Sequence, residues 1–349
     1  MPPRWSLGIW LLLPVGLLGL ATIAQSPPTA PPPVAVARVA RVVLDPPVLP
    51  GLPAALALPS APVVPVDPAA ADSAGAIGDS SDTVLLTPSQ WELPPPTRMR
   101  PLAQLSPEAA RFLAERPGVA TAAVMLPGDS SVYVSSPELA VPMASVAKLV
   151  IMLALFDRAE IEGRALTSDE MTLLEPMMVW SDNDSASLLW DHLGGSPGIE
   201  TYLERHNIRG IVLDPYAWGD SRASGATIAW LVANLAFGDL VNTEHRVLAI
   251  DLLARATASQ QWGVGFGADR ASLEGGAIVG VKDGWYPVEA GWRAGSAGLI
   301  MPGPERPTAT VPYAIAVLTA ENVDLEDGIE TIDGLSQRVQ AALTPRGAG

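Results

Sequence analysis

Ala144-Ser145-Val146-Ala147-Lys148-Leu149-Val150-Ile151-Met152-Leu153-Ala154-Leu155-Phe156 places apolar residues at Val146, Leu149, Val150 and Leu153 and fills nearly every other position with apolar residues too. The i, i+3, i+4, i+7 spacing predicts a helix, and its uniform apolarity predicts burial on all sides. A lysine is out of place in such a run. Ser145 and Lys148 are three residues apart and so share one helical face. Desolvation disfavours an ammonium ion, so a buried Lys148 can shed its proton near neutral pH and act as base for the Ser145 hydroxyl. The competing reading is an incidental Ser-x-x-Lys whose lysine snorkels to solvent. The lysine census favours the first. Of 21 basic residues only Lys148 and Lys282 are lysines; the rest are arginines, which do not give up their proton.

Composition removes several chemistries. The formal net charge is −16 and no Lys/Arg-rich run is present, which argues against a nucleic-acid partner. The chain has no cysteine, so thiol catalysis, disulfides, cysteine zinc sites and thioether or thioester lipid attachment are excluded. His192, His206 and His245 lie far apart without an H-E-x-x-H arrangement, and neither metal nor cofactor is expected.

Residues 1–24 carry one cation, Arg4, then an apolar stretch from Trp5 ending in small residues, the pattern of a secretory signal cleaved after Ala24 or of an anchor over residues 5–24. Export to the periplasm, cell envelope or exterior is expected. Residues 25–105 are rich in Pro and Ala, with Pro31-Pro32-Pro33 and Pro94-Pro95-Pro96, and read as a spacer. A folded domain is expected over 106–343 and a short tail over 344–349. Ser106-Pro107 signals the cap of a first helix, 108–116. A hairpin follows, 121–126 and 131–135, turning at Pro127-Gly128-Asp129-Ser130. Further helices are expected at 184–193, 197–206 capped by Ser196, 227–237 and 243–258, strands at 277–282, 296–301 and 313–319, and a closing helix at 325–343. This order predicts an α+β fold: an antiparallel sheet of about five strands, helices packed on it, and a helical lobe.

Two further motifs stand in register with the first. Ser181-Asp182-Asn183 precedes a predicted helix and, taken alone, reads as a cap. Lys282-Asp283-Gly284-Trp285 closes a predicted strand. Ser-x-x-Lys, Ser-Asp-Asn and a late Lys-x-Gly in this order resemble the class A β-lactamases and penicillin-binding proteins, over about residues 106–343. The resemblance implies an α/β/α sandwich and a monomeric serine hydrolase acting on β-lactams or D-alanyl cell-wall peptides. It implies that Ser145 is the acylated nucleophile, Lys148 its base, Ser181 a proton relay to the leaving nitrogen, Asn183 a holder of the substrate amide and Lys282 a positive group steadying the relay. Gly284 and the neighbouring Asp283 and Trp285 would border the substrate, with the backbone N–H groups of Ser145 and Trp285 forming an oxyanion hole.

Three departures accompany the resemblance. No Glu-x-x-Leu-Asn segment, whose Glu activates the deacylating water in class A enzymes, lies between Asn183 and Lys282; Asp214 and Asp220 in the short stretch 214–221 are the substitutes to test. Asp283 stands where the family has a hydroxyl and would repel a substrate carboxylate unless it turns away or pairs with Lys282 or Arg293. The short interval from Lys148 to Ser181 implies a trimmed helical lobe. Slow turnover, or a penicillin- or wall-binding module without turnover, or a D-alanine carboxypeptidase, are the alternatives. Trp218, Trp262, Trp285 and Trp292 are candidates for a groove lining or for core packing.

Overall fold

A computed structural model of the chain describes residues 83–344, apart from 88–89, 91–92, 95–96, 268–275, 290 and 306–309. The expected leader at 1–24, the spacer up to residue 82 and all but the first residue of the expected tail lie outside the described residues. The strands are β1 (Val84–Leu85), β2 (Arg98–Pro101), β3 (Val119–Met125), β4 (Ser131–Ser135), β5 (Leu139–Pro142), β6 (Ile211–Val212), β7 (Arg222–Ala223), β8 (Ile278–Val288), β9 (Gly291–Met301) and β10 (Tyr313–Asn322). The longer helices are α1 (Pro107–Ala114), α2 (Lys148–Ile161), α3 (Ser168–Val179), α4 (Asn183–His192), α5 (Gly195–Arg205), α6 (Gly225–Phe237), α7 (Thr243–Ala254) and α8 (Leu325–Leu343).

The main sheet runs β2-β4-β3-β10-β9-β8. Its pairs are antiparallel except β2 with β4. β10 lies between β3 and β9 with helices over both faces, so Ala314, Ile315, Ala316, Val317 and Leu318 are all buried and the strand shows no polar alternation. One face packs on α1 and α8, where Ala122, Val124 and Val317 join Leu113, Ile332, Leu335 and Val339 in a common core. The other face receives α6 and the turn that carries Ser145. A second, small sheet joins β1, β5, β7 and β6. The fold is the α+β arrangement that the element order implied, in the sandwich form that the resemblance implied.

α2 is the centre of the helical lobe, with α3, α4 and α5 packed around it. Every side chain from Lys148 to Phe156 is buried, as the uniform apolar run required. α3, which contains Pro176 yet runs unbroken through it, escaped the sequence reading although its start is strongly signalled. Thr167 accepts from the Glu170 N–H at 3.1 Å while the Glu170 carboxylate accepts from the Thr167 N–H at 2.8 Å, a reciprocal cap.

The buried Glu170 carboxylate also receives both Arg164 Nη1 and Nη2, at 2.7 and 2.8 Å. Burial alone would raise its pKa, but Arg164 and the Thr167 N–H outweigh that and bring it from 4.5 to about 2. A lowered carboxylate contributes stability above its unfolded pKa, and that contribution drains away as pH falls from about 5 toward 2. Glu170→Gln is therefore expected to cost ~2 kcal/mol at pH 7, measured by urea unfolding, with the gap to wild type narrowing on acidification.

Four expectations are corrected. The spacer does not extend to residue 105: β1 and β2 are strands of the folded domain, β2 pairing with β4 and Arg100 Nε donating to Ser131 Oγ at 2.8 Å. Arg98-Met99-Arg100-Pro101 has no apolar alternation because it is a sheet edge, where Arg and Pro are tolerated. The sheet accordingly has six strands rather than about five. α5 starts at Gly195, after Gly194 in left-handed backbone, and Ser196 does not cap it. Finally, β8 continues through the Lys282 motif instead of ending there.

Candidate active site

β5 delivers the chain into a 3-10 turn, Ala144–Ala147, that holds Ser145, and Lys148 opens α2 one turn later. Ser145 thus precedes the helix rather than forming part of it. Ala144 takes φ +48°, a left-handed conformation that costs a residue with a side chain ~1–3 kcal/mol and concentrates at functional turns. Ser181 has φ +59° for the same reason: it is wedged between the end of α3 at Trp180 and the start of α4. Within that motif only Asp182 is the cap, accepting from the Ser185 N–H at 2.7 Å. Its neighbours are free to turn inward.

They turn to Lys148. Its Nζ lies 3.1 Å from Ser145 Oγ, 3.1 Å from Ser181 Oγ, 2.5 Å from the Ser181 carbonyl and 2.7 Å from Asn183 Oδ1. Lys282, from β8, donates to Ser181 Oγ at 2.8 Å, to Gln260 Oε1 at 2.7 Å and to the Asp283 carbonyl at 2.8 Å. Both lysines are fully buried, whereas Ser145 and Ser181 are partly exposed and Asn183 is exposed. Burial, reinforced by the charge of Lys282 and opposed by Asp182, brings Lys148 from 10.5 to about 6. Burial also lowers Lys282. The two lysines therefore meet on the Ser181 hydroxyl, with the first of them also on Ser145.

The third motif is divided by the pleat of β8. Asp283 pairs with Ser296, Ser296 with Val317 and Val317 with Ala122, and cross-strand partners share a face. Ala122 and Val317 belong to the α1/α8 core, so the Asp283 side chain is on that far face, fully buried. Burial raises its pKa well above the carboxylate range, with Asp333 adding to the rise and Ser296 opposing it. The expectation that Asp283 borders the substrate is corrected: strand alternation removes it. Lys282 and Gly284 occupy the near face, where a Cβ on Gly284 would stand 2.4 Å from Ser145 N. The Trp285 ring also faces away and meets Trp262 edge-on at 5.8 Å. Its backbone lies in the edge strand of the sheet beside the Ser145 turn.

Gln260 and Tyr286 carried no sequence signal as site residues, whereas Trp218, expected as groove lining or core packing, and Asp220, expected as a substitute for the missing glutamate, do lie beside the site, and Arg293 meets Tyr286 there. Tyr286 and Arg293, paired across β8 and β9, share the face of Lys282; Tyr286 donates to Asp220, and Arg293 Nη1 donates to the Tyr286 oxygen at 3.0 Å. Asp214 Oδ1 accepts from the N–H groups of Tyr216 and Ala217, at 2.8 and 2.7 Å. Both carboxylates of the 214–221 stretch are thus engaged in holding the loop. Trp218 from the same loop stands over Lys148, ring centre 4.9 Å from Nζ.

Comparison with known proteins bears on the same architecture. The model described as the beta-lactamase enzyme family matches residues 169–343. Among solved structures, the TLA-1 extended-spectrum β-lactamase is similar at 15% identity and TM-score 0.59, covering 70% of this chain and 99% of its own. An ancestral class A β-lactamase, GNCA, aligns at 21% identity and TM-score 0.56 over 69% of this chain and 100% of its own. A class A representative from Bacteroides cellulosilyticus does so at 17% and 0.56, over 70% and 98%. No curated protein sequence matches. At such identities the structures speak for the fold alone. The family model, however, spans half of the sequence, from α3 to the end of α8, and so the chain belongs to the beta-lactamase enzyme family.

Proposed function

We propose that the protein is an exported serine hydrolase that transfers the acyl group of a β-lactam or D-alanyl amide to Ser145. The observation that carries this reading is the placement of Lys148 Nζ 3.1 Å from the hydroxyls of both Ser145 and Ser181. Neutral Lys148 takes the Ser145 proton as Oγ adds to the substrate carbonyl carbon. Negative charge on the carbonyl oxygen is met by the backbone N–H groups of Ser145 and Trp285. Collapse breaks the C–N bond; Ser181 passes its proton to the departing nitrogen and recovers one from Lys148, leaving an acyl-serine ester. Lys282 fixes the Ser181 hydroxyl throughout. Asn183 turns its carbonyl oxygen to Lys148, leaving its amide N–H to hold the substrate. With Asp283 on the far face, the repulsion of an anionic substrate feared from the sequence does not arise.

A second reading, acylation without efficient turnover, is favoured by one observation. Asp214 and Asp220 are tied to the loop and to Tyr286, and a tryptophan rather than a carboxylate stands over Lys148. Intact-protein mass followed over time with a panel of β-lactams separates the possibilities. Wild type is expected to gain one acyl group and Ser145→Ala none. Decay of the adduct indicates hydrolysis, persistence a binding module, and D-alanine release from a model peptide a carboxypeptidase. No adduct with any β-lactam and no D-alanine release would overturn acyl transfer. Recovery of the protein outside the cytoplasm, free or membrane-held, checks export.

A further inference from the structure

The four oxygens around Lys148 Nζ are not equivalent. The Ser181 carbonyl at 2.5 Å and Asn183 Oδ1 at 2.7 Å can only accept, and they absorb both N–H bonds of a neutral amine. Its lone pair is left for the Ser145 and Ser181 hydroxyls, both at 3.1 Å. Beyond these contacts the amine meets the Trp218 ring. One hydrogen bond holds that ring, and the two residues that follow it in the chain are anchored beside it. Its Nε1–H donates to Ser187 Oγ of α4 at 3.2 Å. The adjoining Gly219 lies against the turn that carries Ser145, where a Cβ would be 3.9 Å from Ala144 Cα. Asp220, next in the chain, is bonded by Tyr286 of β8.

We propose that Trp218 is a positioning residue of this site: its indole shuts water away from the Lys148 amine and thereby keeps that nitrogen a base for Ser145. The inference rests on the acyl-transfer reading above. An indole face also attracts an ammonium ion, which acts in the opposite sense. Exclusion of water is the larger effect here, because burial is the main cause of the lowered lysine. The charged groups facing Lys148 are Lys282 from β8, which favours the neutral amine, and Asp182 ahead of α4, which favours the ammonium; Asp220 is engaged by Tyr286.

The chain has two lysines, so 13C-lysine labelling gives two side-chain signals to follow by NMR as pH is varied, and Lys282→Arg assigns them. Trp218→Ala is expected to move the Lys148 midpoint upward by about one pH unit, approaching a tenfold loss of neutral amine at pH below the original midpoint. The acid limb of Ser145 acylation should move with it. Trp218→Phe, which keeps an apolar cover, should leave the midpoint near wild type, and Ser187→Ala should shift it upward by less. An unchanged or lowered midpoint in Trp218→Ala overturns the proposal, since the ring then acts only as a partner for the cation or not at all. Should the alanine variant not fold, Ser187→Ala takes its place, and an unchanged or lowered midpoint there overturns the proposal equally. Failure of the underlying reading is distinct: it shows as a wild type that no acyl donor labels, whatever the lysine does.

Discussion

Lys148→Met and Lys148→Arg are both expected to slow acylation of Ser145 by about a thousandfold at pH 7, within the 10²–10⁴ range that a positioned base supplies. The pair is chosen because it separates two roles. If Lys148 served as a fixed positive charge, Arg would preserve much of the rate and Met little. If it serves as a base, neither can take the proton, and the losses match. In wild type the lysine titrates at about 6, so acylation should fall roughly tenfold per pH unit below that value and level off above it. Both variants should lack this limb. Stability moves the other way. A lysine whose folded pKa is lowered from 10.5 costs stability as pH falls through that interval, because the unfolded chain binds the proton and the folded one does not. Lys148→Met removes that cost and should raise unfolding stability at pH 7 by a few kcal/mol, roughly 2–4. Equal activity losses with opposite stability changes, Met gaining and Arg losing in so enclosed a pocket, would identify a base held neutral at the expense of the fold.

Features encoded by residue type at regular spacing were legible in the sequence. The hairpin, α2 and α8 follow from apolar periodicity, and α8 runs over Leu325–Leu343 as expected. The two lysines could be singled out because an arginine-rich chain has no other use for them, and both converge on Ser181. What escaped depended on context that spacing does not carry. β2 is an edge strand whose Arg98 and Pro101 read as spacer. Asp283 was placed at the substrate because the resemblance puts it where the family has a substrate-binding hydroxyl; its side chain faces α8 because β8 runs straight through and alternates. Gln260 reaches Lys282 from a short 3-10 turn with nothing in the residues around it to mark the contact, and Trp218, a groove-lining candidate by residue type, gave no sign that its ring would meet Lys148. Asp214 and Asp220 illustrate the converse: candidates by residue type, both are consumed in shaping the loop.

Gly284→Ala is expected to lower acylation by about a hundredfold or more while the chain remains folded. The added Cβ would lie 2.4 Å from Ser145 N, 2.8 Å from Val146 N and 3.0 Å from Ser145 Cα. All three are backbone atoms of the nucleophile turn and cannot swing aside, so β8 and the turn must separate by most of an ångström. Displacement on that scale typically costs ~10²-fold in rate, and overpacking costs ~1–3 kcal/mol in stability. The loss should fall on the acylation rate, because the Ser145 and Trp285 N–H groups, the proposed oxyanion donors, are being pulled apart. The lysine midpoints, set by burial some way from the new methyl group, should change little. Gly219→Ala provides the contrast, since its Cβ would meet only Ala144 at 3.9 and 4.0 Å and should cost no more than about threefold. If Gly284→Ala is acylated at the wild-type rate, β8 does not approach Ser145 closely enough to supply the second donor, and the oxyanion hole must be sought elsewhere on the turn.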